Sequence, residues 1–386
     1  MGSIGAASAE FCLDIFKELK VQHVNENIIF SPMTIISALS LVYLGAKEDT
    51  RAQIEKVVPF DKIPGFGEIV ESQCPKSASV HSSIQDIFNQ IIKRSDNYSL
   101  SLASRLYAEE SYPIRPEYLQ CVKELDKEGL ETISFQTAAD QARQLINSWV
   151  ESQTNGMIKN ILQPSSVNSQ TEMVLVNAIY FRGLWQKAFK DEDTQAVPFR
   201  ITEQESKPVQ MMQQIGSFKV AEIASEKMKI LELPYASGQL SMLVLLPDDV
   251  SGLEKLESSI TVEKLIEWTS SNLTEERNVK VYLPRLKIEE KYNLTSVLAA
   301  LGITDLFSSS ANLSGISTAE SLKLSRAVHE SFVEIQEAGH EVEGPKEAGI
   351  EVTSALDEFR VDRPFLFVTK HNPTNSILFL GRCLSP

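Results

Sequence analysis

The sequence predicts an α+β fold with large, mainly antiparallel sheets, and three observations carry that prediction. Apolar residues recur at helical spacing in the first part of the chain, and short apolar or alternating runs dominate the remainder. A regular strand–helix–strand alternation, which a parallel sheet would require, is missing. Neither a Pro/Gly/Ser-rich linker nor an internal repeat divides the chain, so its 386 residues are expected to form one domain, residues 1–386.

The elements follow in order. Phe11, Ile15, Phe16 and Leu19 mark a first amphipathic helix. Asn27 to Ala46 carries no charge over twenty residues, but Asn27, Ser31, Pro32, Thr34, Ser37 and Ser40 make it a poor membrane span, so it is expected to be a buried helix. Val80, Ile84, Ile87, Phe88, Ile91 and Ile92 predict a second amphipathic helix, and Ala142, Leu145, Ile146, Trp149 and Val150 a third. Glu172 to Phe181 is almost wholly apolar, as expected of a strand buried on both faces. Met228–Pro234 and Leu240–Pro247 flank Ala236-Ser237-Gly238 and predict a hairpin. Val279, Val281 and Leu283 alternate, and Phe365–Thr369 and Ile377–Leu380 supply strands at the end.

Charge and composition exclude several function classes. With 52 acidic against 37 basic side chains the net charge is −15, which opposes binding to nucleic acid or anionic membranes. Glu10, Asp14, Lys17, Glu18 and Lys20 rule out an ordinary cleavable leader, and Ala6 fails the myristoylation pattern. His23, His81, His329, His340 and His371 show no metal-site spacing, and no nucleophile elbow, phosphate loop or dinucleotide fingerprint is present. Asp191-Glu192-Asp193 and Glu289-Glu290 read as solvated surface. No metal, cofactor or enzymatic activity is expected.

Cys12 and Cys383 lie in apolar surroundings and read as buried thiols. Cys74 and Cys121 stand 47 residues apart; were they joined, the closed loop would contribute at most ~4 kcal/mol. Four N-x-S/T sequons, at Asn97, Asn272, Asn293 and Asn312, are consistent with secretion.

Several strings converge on a family. Phe30-Ser31-Pro32 leads into Ser37-Ala38-Leu39 and Leu44-Gly45-Ala46; Asn147-Ser148-Trp149-Val150 precedes Thr154-Asn155-Gly156. Asn177-Ala178-Ile179-Tyr180-Phe181-Arg182-Gly183-Leu184-Trp185 ends at Phe189, and the chain closes with Asp362-Arg363-Pro364-Phe365 and Phe379-Leu380-Gly381-Arg382. In this order, from the first helix to Pro386, they resemble the serpin family. The resemblance implies three mainly antiparallel sheets, eight or nine helices, and an exposed reactive-centre loop at about residues 339–360. It also implies a polar network of Ser31, Asn177 and His329 under the sheet that opens, with Trp185 where insertion begins. Thr34 stands where many members have Ser, and Arg363 where many have His.

Gly2 to Ser8 ahead of Glu10-Phe11-Cys12, together with Cys74 and Cys121, is similar to the egg-white storage members of the family. That likeness implies a Cys74–Cys121 bridge, a glycan at Asn293 ahead of Asn312, Asn97 and Asn272, and export by an internal uncleaved signal near Gln22 to Glu48. It implies a monomer without an obligate partner, which meets proteases only as cleaving agents and no membrane after export.

In inhibitory serpins the cleaved loop inserts into the largest sheet and drags the acylated protease with it. The family's hinge is a Glu-Glu-Gly-Thr-like start followed by small residues; here it reads Glu337-Ala338-Gly339-His340-Glu341-Val342-Glu343-Gly344-Pro345-Lys346, with the reactive-bond equivalent at Thr353-Ser354. An inserted strand sends alternate side chains to opposite faces. One register buries His340, Val342, Gly344 and Lys346, and the other Glu341, Glu343, Pro345 and Glu347. A buried unpaired charge costs several kcal/mol, and proline withholds an N–H from the ladder. The loop is therefore expected to be cut as a protease substrate without inhibition, and the likeness to the egg-white members implies a secreted storage glycoprotein. Inhibition of an elastase-like enzyme at Thr353 remains the alternative.

Overall fold

The computed structural model describes residues 4–62, 74, 79–92, 95–340 and 356–386. Glu341 to Lys346 of the hinge, and Thr353-Ser354, lie outside the described residues.

The chain opens with α1 (Ile4–Gln22), which buries Phe11, Ile15, Phe16, Leu19 and Cys12. Strand β1 (Ile28–Phe30) leads to Ser31, whose extended backbone and hydroxyl, accepting from the Thr34 N–H, cap α2 (Pro32–Tyr43). Pro32 fits the first turn because an N–H there has no intrahelical partner. Every residue of α2 is buried, as its lack of charge requires. Next come α3 (Glu48–Val57), α4 (Ser79–Ile92), β2 (Tyr98–Glu109), α5 (Pro116–Leu125), β3 (Leu130–Ile133), α6 (Ala139–Gln153) and β4 (Met173–Gly183). The strand-rich remainder holds β5 (Gln195–Arg200), β6 (Ser206–Ile223), β7 (Met228–Pro234) and β8 (Leu240–Pro247). After the short helices α7 (Leu253–Ser259) and α8 (Val262–Thr269) come β9 (Glu275–Pro284), β10 (Leu286–Asn293), α9 (Leu294–Leu301), β11 (Arg326–Ile335), β12 (Asp357–Arg360), β13 (Phe365–His371) and β14 (Ser376–Cys383).

Nine α-helices are present among the described residues, and the strands are mainly antiparallel. One sheet has the order β10-β11-β4-β2-β3. The other two are joined through the 18-residue β6, which pairs with β7 by its last residues and with β9 along its middle, so their ladders run on as one network. The β7–β8 hairpin falls on the expected residues, and Gly238 turns it with φ +71°.

Two features position the site. β11 and β4 lie side by side in parallel, in register over nine pairs from Arg326↔Val174 to Glu334↔Arg182. β4 is covered on both faces: Met173, Leu175, Ile179 and Phe181 join the main core, while Val174, Val176, Ala178 and Tyr180 pack with Ala142, Ile146 and Val150 of α6. That double burial accounts for the unbroken apolar run in the sequence.

Two sequence expectations need correction. Leu145, placed on the apolar face of α6, is 55% exposed because the buried face follows Ala142, Ile146 and Val150, about 100° around the helix from it. Trp149 is only partly buried and lies under the Arg105 guanidinium, 4.0 Å from its ring.

Cys74 and Cys121 form a disulfide with Cα atoms 5.0 Å apart, tying the segment before α4 to α5. Cys12 and Cys383 are free and buried, and burial pushes both thiols far above the ordinary range. A thiol reagent is therefore expected to find no fast-reacting group in the native protein and two in denaturant. A C74A/C121A variant should lower the unfolding free energy by about 2–4 kcal/mol, read as a lower urea midpoint.

Candidate functional site

The β4–β11 seam carries a buried polar network at its centre. His329 of β11 and Asn177 of β4 are register partners. The Ser31 backbone N–H, 3.1 Å from His329 Nε2, can only donate, so that nitrogen is an acceptor and the imidazole proton resides on Nδ1. Nδ1–H donates to Asn177 Oδ1 at 2.7 Å, and the Ser331 hydroxyl donates to Nε2 at 2.8 Å. Asn177 Nδ2 donates to the Thr34 carbonyl at 3.2 Å and to Ser104 Oγ at 3.1 Å, while Thr34 Oγ1 donates to Asn177 Oδ1 at 2.9 Å. The network thus links α2 with β2, β4 and β11. Complete burial holds His329 neutral, its pKa lowered to about 3.

The structure brings Ser31, Asn177 and His329 together, Ser31 through its backbone. Thr34, Ser104 and Ser331 also belong to the network, and no sequence signal pointed to them as members. Thr34, seen only as a departure from the family, is what lets α2 grip β4.

A second cluster holds the chain as it leaves β11. Trp185 N–H donates to the Ala338 carbonyl at 3.1 Å, and His340 N–H to the Trp185 carbonyl at 2.9 Å. The Trp185 indole N–H reaches the Gln336 carbonyl at 2.6 Å. Gly339 fits because a Cβ there would stand 2.7 Å from the Trp185 carbonyl oxygen. Arg285 takes both Glu337 oxygens at 2.7 Å, and this holds the mostly buried carboxyl below its ordinary range. The exposed His340 side chain meets Asn97 Oδ1 at 2.8 Å.

The sequons differ in access. Asn293 and Asn272 are exposed, whereas Asn97 and Asn312 are half-buried. Asn293 caps α9 with its Oδ1, so Nδ2, the atom that carries a glycan, takes no part in the cap. Arg363 forms an ion pair with Asp362 and donates to the Asp248 carbonyl.

Chemistry is sparse elsewhere. Ser40 Oγ lies 3.0 Å from His81 Nδ1, and Asp126 Oδ2 lies 3.9 Å from His81 Nε2. This superficially triad-like row is sealed, with Ser40 and His81 buried, so no substrate reaches the hydroxyl. Among the described residues no group of three or more His, Cys, Asp or Glu side chains is placed to hold a metal ion.

The serpin (serine protease inhibitor) family profile matches residues 6–386. This chain belongs to the serpin family. It is 74% identical to ovalbumin of Meleagris gallopavo over 386 residues, all of both chains. The crystal structure of uncleaved ovalbumin superposes with a TM-score of 0.93 at 71% identity, again covering both chains completely. A loop-inserted, cleaved ovalbumin mutant matches at 0.87 and 68%, over the whole of both chains. Its ovalbumin homologues are secreted egg-white proteins, and at this identity over the full chain it is, like them, a non-inhibitory storage serpin and not an enzyme.

His329 makes the seam acid-sensitive. The folded protein refuses a proton there until pH about 3, while an unfolded histidine accepts one near 6.5. Stability is therefore full above about pH 6.5 and falls as the pH drops toward 3. H329A should cost about 3 kcal/mol at pH 7, since it orphans the Ser31 N–H and leaves a cavity. Its deficit relative to the parent should shrink by up to about 2 kcal/mol at pH 5, as urea midpoints at the two pH values will show.

Proposed function

We propose that this serpin's loop is cut as a protease substrate at or near Thr353-Ser354 and does not insert, so that no protease is trapped. The observation that carries this reading is the closed β4–β11 ladder, buried on both faces and cross-linked by His329 and Asn177. An inserting strand must part those nine pairs and then place Lys346 or Glu343 beside covered apolar residues, at several kcal/mol for each unpaired charge. Pro345 adds ~1–3 kcal/mol by leaving a ladder acceptor unmatched. Trapping is a race against deacylation, and slow insertion loses it. Trp185 is where insertion would have to begin, because its backbone already holds Ala338 and His340.

The physiological role is storage: a monomeric, soluble, acidic amino-acid reserve, with the whole chain as one domain. The uncharged segment within Gln22–Glu48, now β1 and the fully buried α2, serves as the internal uncleaved export signal. Asn293 carries the glycan, supported by its exposure and by a cap that uses Oδ1 and not Nδ2; Asn272 is the next most accessible, with Asn97 and Asn312 behind it.

Incubation with elastase or subtilisin should nick the chain within residues 341–355 without a complex that survives denaturing electrophoresis. The nicked protein's Tm should stay within a few degrees of the intact one. An H340T/P345A/K346A variant, with the family's Thr and small residues restored, should instead gain roughly 10 °C or more on cleavage, as an added strand requires. A stable covalent complex of the parent near unit stoichiometry would overturn the proposal. Mass spectrometry of secreted protein should find an N-terminus at Met1 or Gly2 and a glycopeptide at Asn293.

A further inference from the structure

Beside the hinge lies a cavity of about 970 Å³ that the seam and the loop do not use. Volume of this order, with apolar walls and a few polar groups, is what small-molecule sites offer. Three aromatic side chains line it beside Leu233 and Pro234: Trp185, backed by Tyr235 stacked at 4.6 Å; Phe189, edge-on to Trp185 at 6.1 Å; and Phe218.

The polar wall is cationic in a protein of net charge −15. Lys187, Lys219 and Lys370 line it against Glu232 and Glu276, leaving one positive charge in excess. Two of the ammonium groups are committed. Lys370 is buried and donates to the Thr269 carbonyl and to Ser271 Oγ, both at 2.7 Å, with Glu232 at 3.9 Å. Lys187 donates to the Ile215 carbonyl at 2.5 Å. Lys219 is exposed, sits in register between Glu232 on β7 and Glu276 on β9, and forms no ion pair within 4.0 Å among the described residues. Lys370 stands beside Glu232, and Glu232, which accepts from the Ser271 hydroxyl, opposes more than one negative charge on a ligand.

We propose that this cavity binds one amphipathic monoanion, with its apolar body against Trp185, Phe189 and Phe218 and its carboxylate on Lys219. A straight-chain fatty acid of ten to twelve carbons has the chemistry and fits the volume. Because Trp185 also holds Ala338 and His340, occupancy would brace the hinge where it leaves β11.

Dodecanoate, titrated below its micellar range, should quench tryptophan fluorescence saturably at one molecule per chain. K219Q should weaken it about tenfold, the worth of one charge-assisted contact, and K219R should restore it. S217W, which places a ring at an exposed position on the cavity rim, should abolish binding with Tm unchanged. Dodecanol should bind at least tenfold more weakly than dodecanoate. Saturable binding indifferent to both K219Q and S217W would place the fatty acid elsewhere and overturn the proposal. Absence of binding at 1 mM, or dodecanol equal to dodecanoate, would overturn it as well.

Discussion

The fold turns on one hydrogen bond, from His329 Nδ1 to Asn177 Oδ1, made across the seam between two parallel strands. Around it every polar group is satisfied: Ser31 and Ser331 serve Nε2, and Thr34 and Ser104 serve Asn177. Such a network is costly only when broken, because each orphaned group then bears its full desolvation penalty. In a sheet whose family function is to open, this makes the closed state a matter of complete satisfaction and not of apolar burial alone.

The hinge clamp and the seam act on the same event from different ends. Arg285 and Trp185 hold the chain leaving β11, and the seam holds the strands between which a loop must pass. An inhibitor needs small uncharged residues to slip through that gap. This chain carries His340, Glu341, Glu343, Pro345 and Lys346 there instead. A closed sheet, a hinge carrying charges and a proline, and a net charge of −15 suit storage better than trapping.

Much of the architecture was legible in the sequence because its signals are local. The uncharged α2, the doubly buried β4 and the β7–β8 hairpin each follow from runs or spacings of a few residues. Strand β11 was less legible: Arg326, His329, Glu330, Ser331 and Glu334 interrupt its apolar residues, and only pairing with β4 and β10 explains them. Leu145 misled because periodicity gives a face but not its edge. In the site, Ser31, Asn177 and His329 were reached through family resemblance, whereas Ser104 and Ser331 are ordinary serines until their partners are known.

Fold class, family, the lack of catalytic motifs and the chemistry of the hinge are all readable along the chain, because they reside in composition, in short strings and in charge. Tertiary structure alone decided which nitrogen of His329 carries the proton and which side chains cross the seam. It also decided that Asn293 caps a helix through Oδ1 and not Nδ2, and that three lysines and three aromatic rings line one cavity beside the hinge. Those facts depend on residues that stand far apart in the chain, Thr34 with Asn177 or Lys187 with Lys370, and only the packing of the sheets brings them within reach.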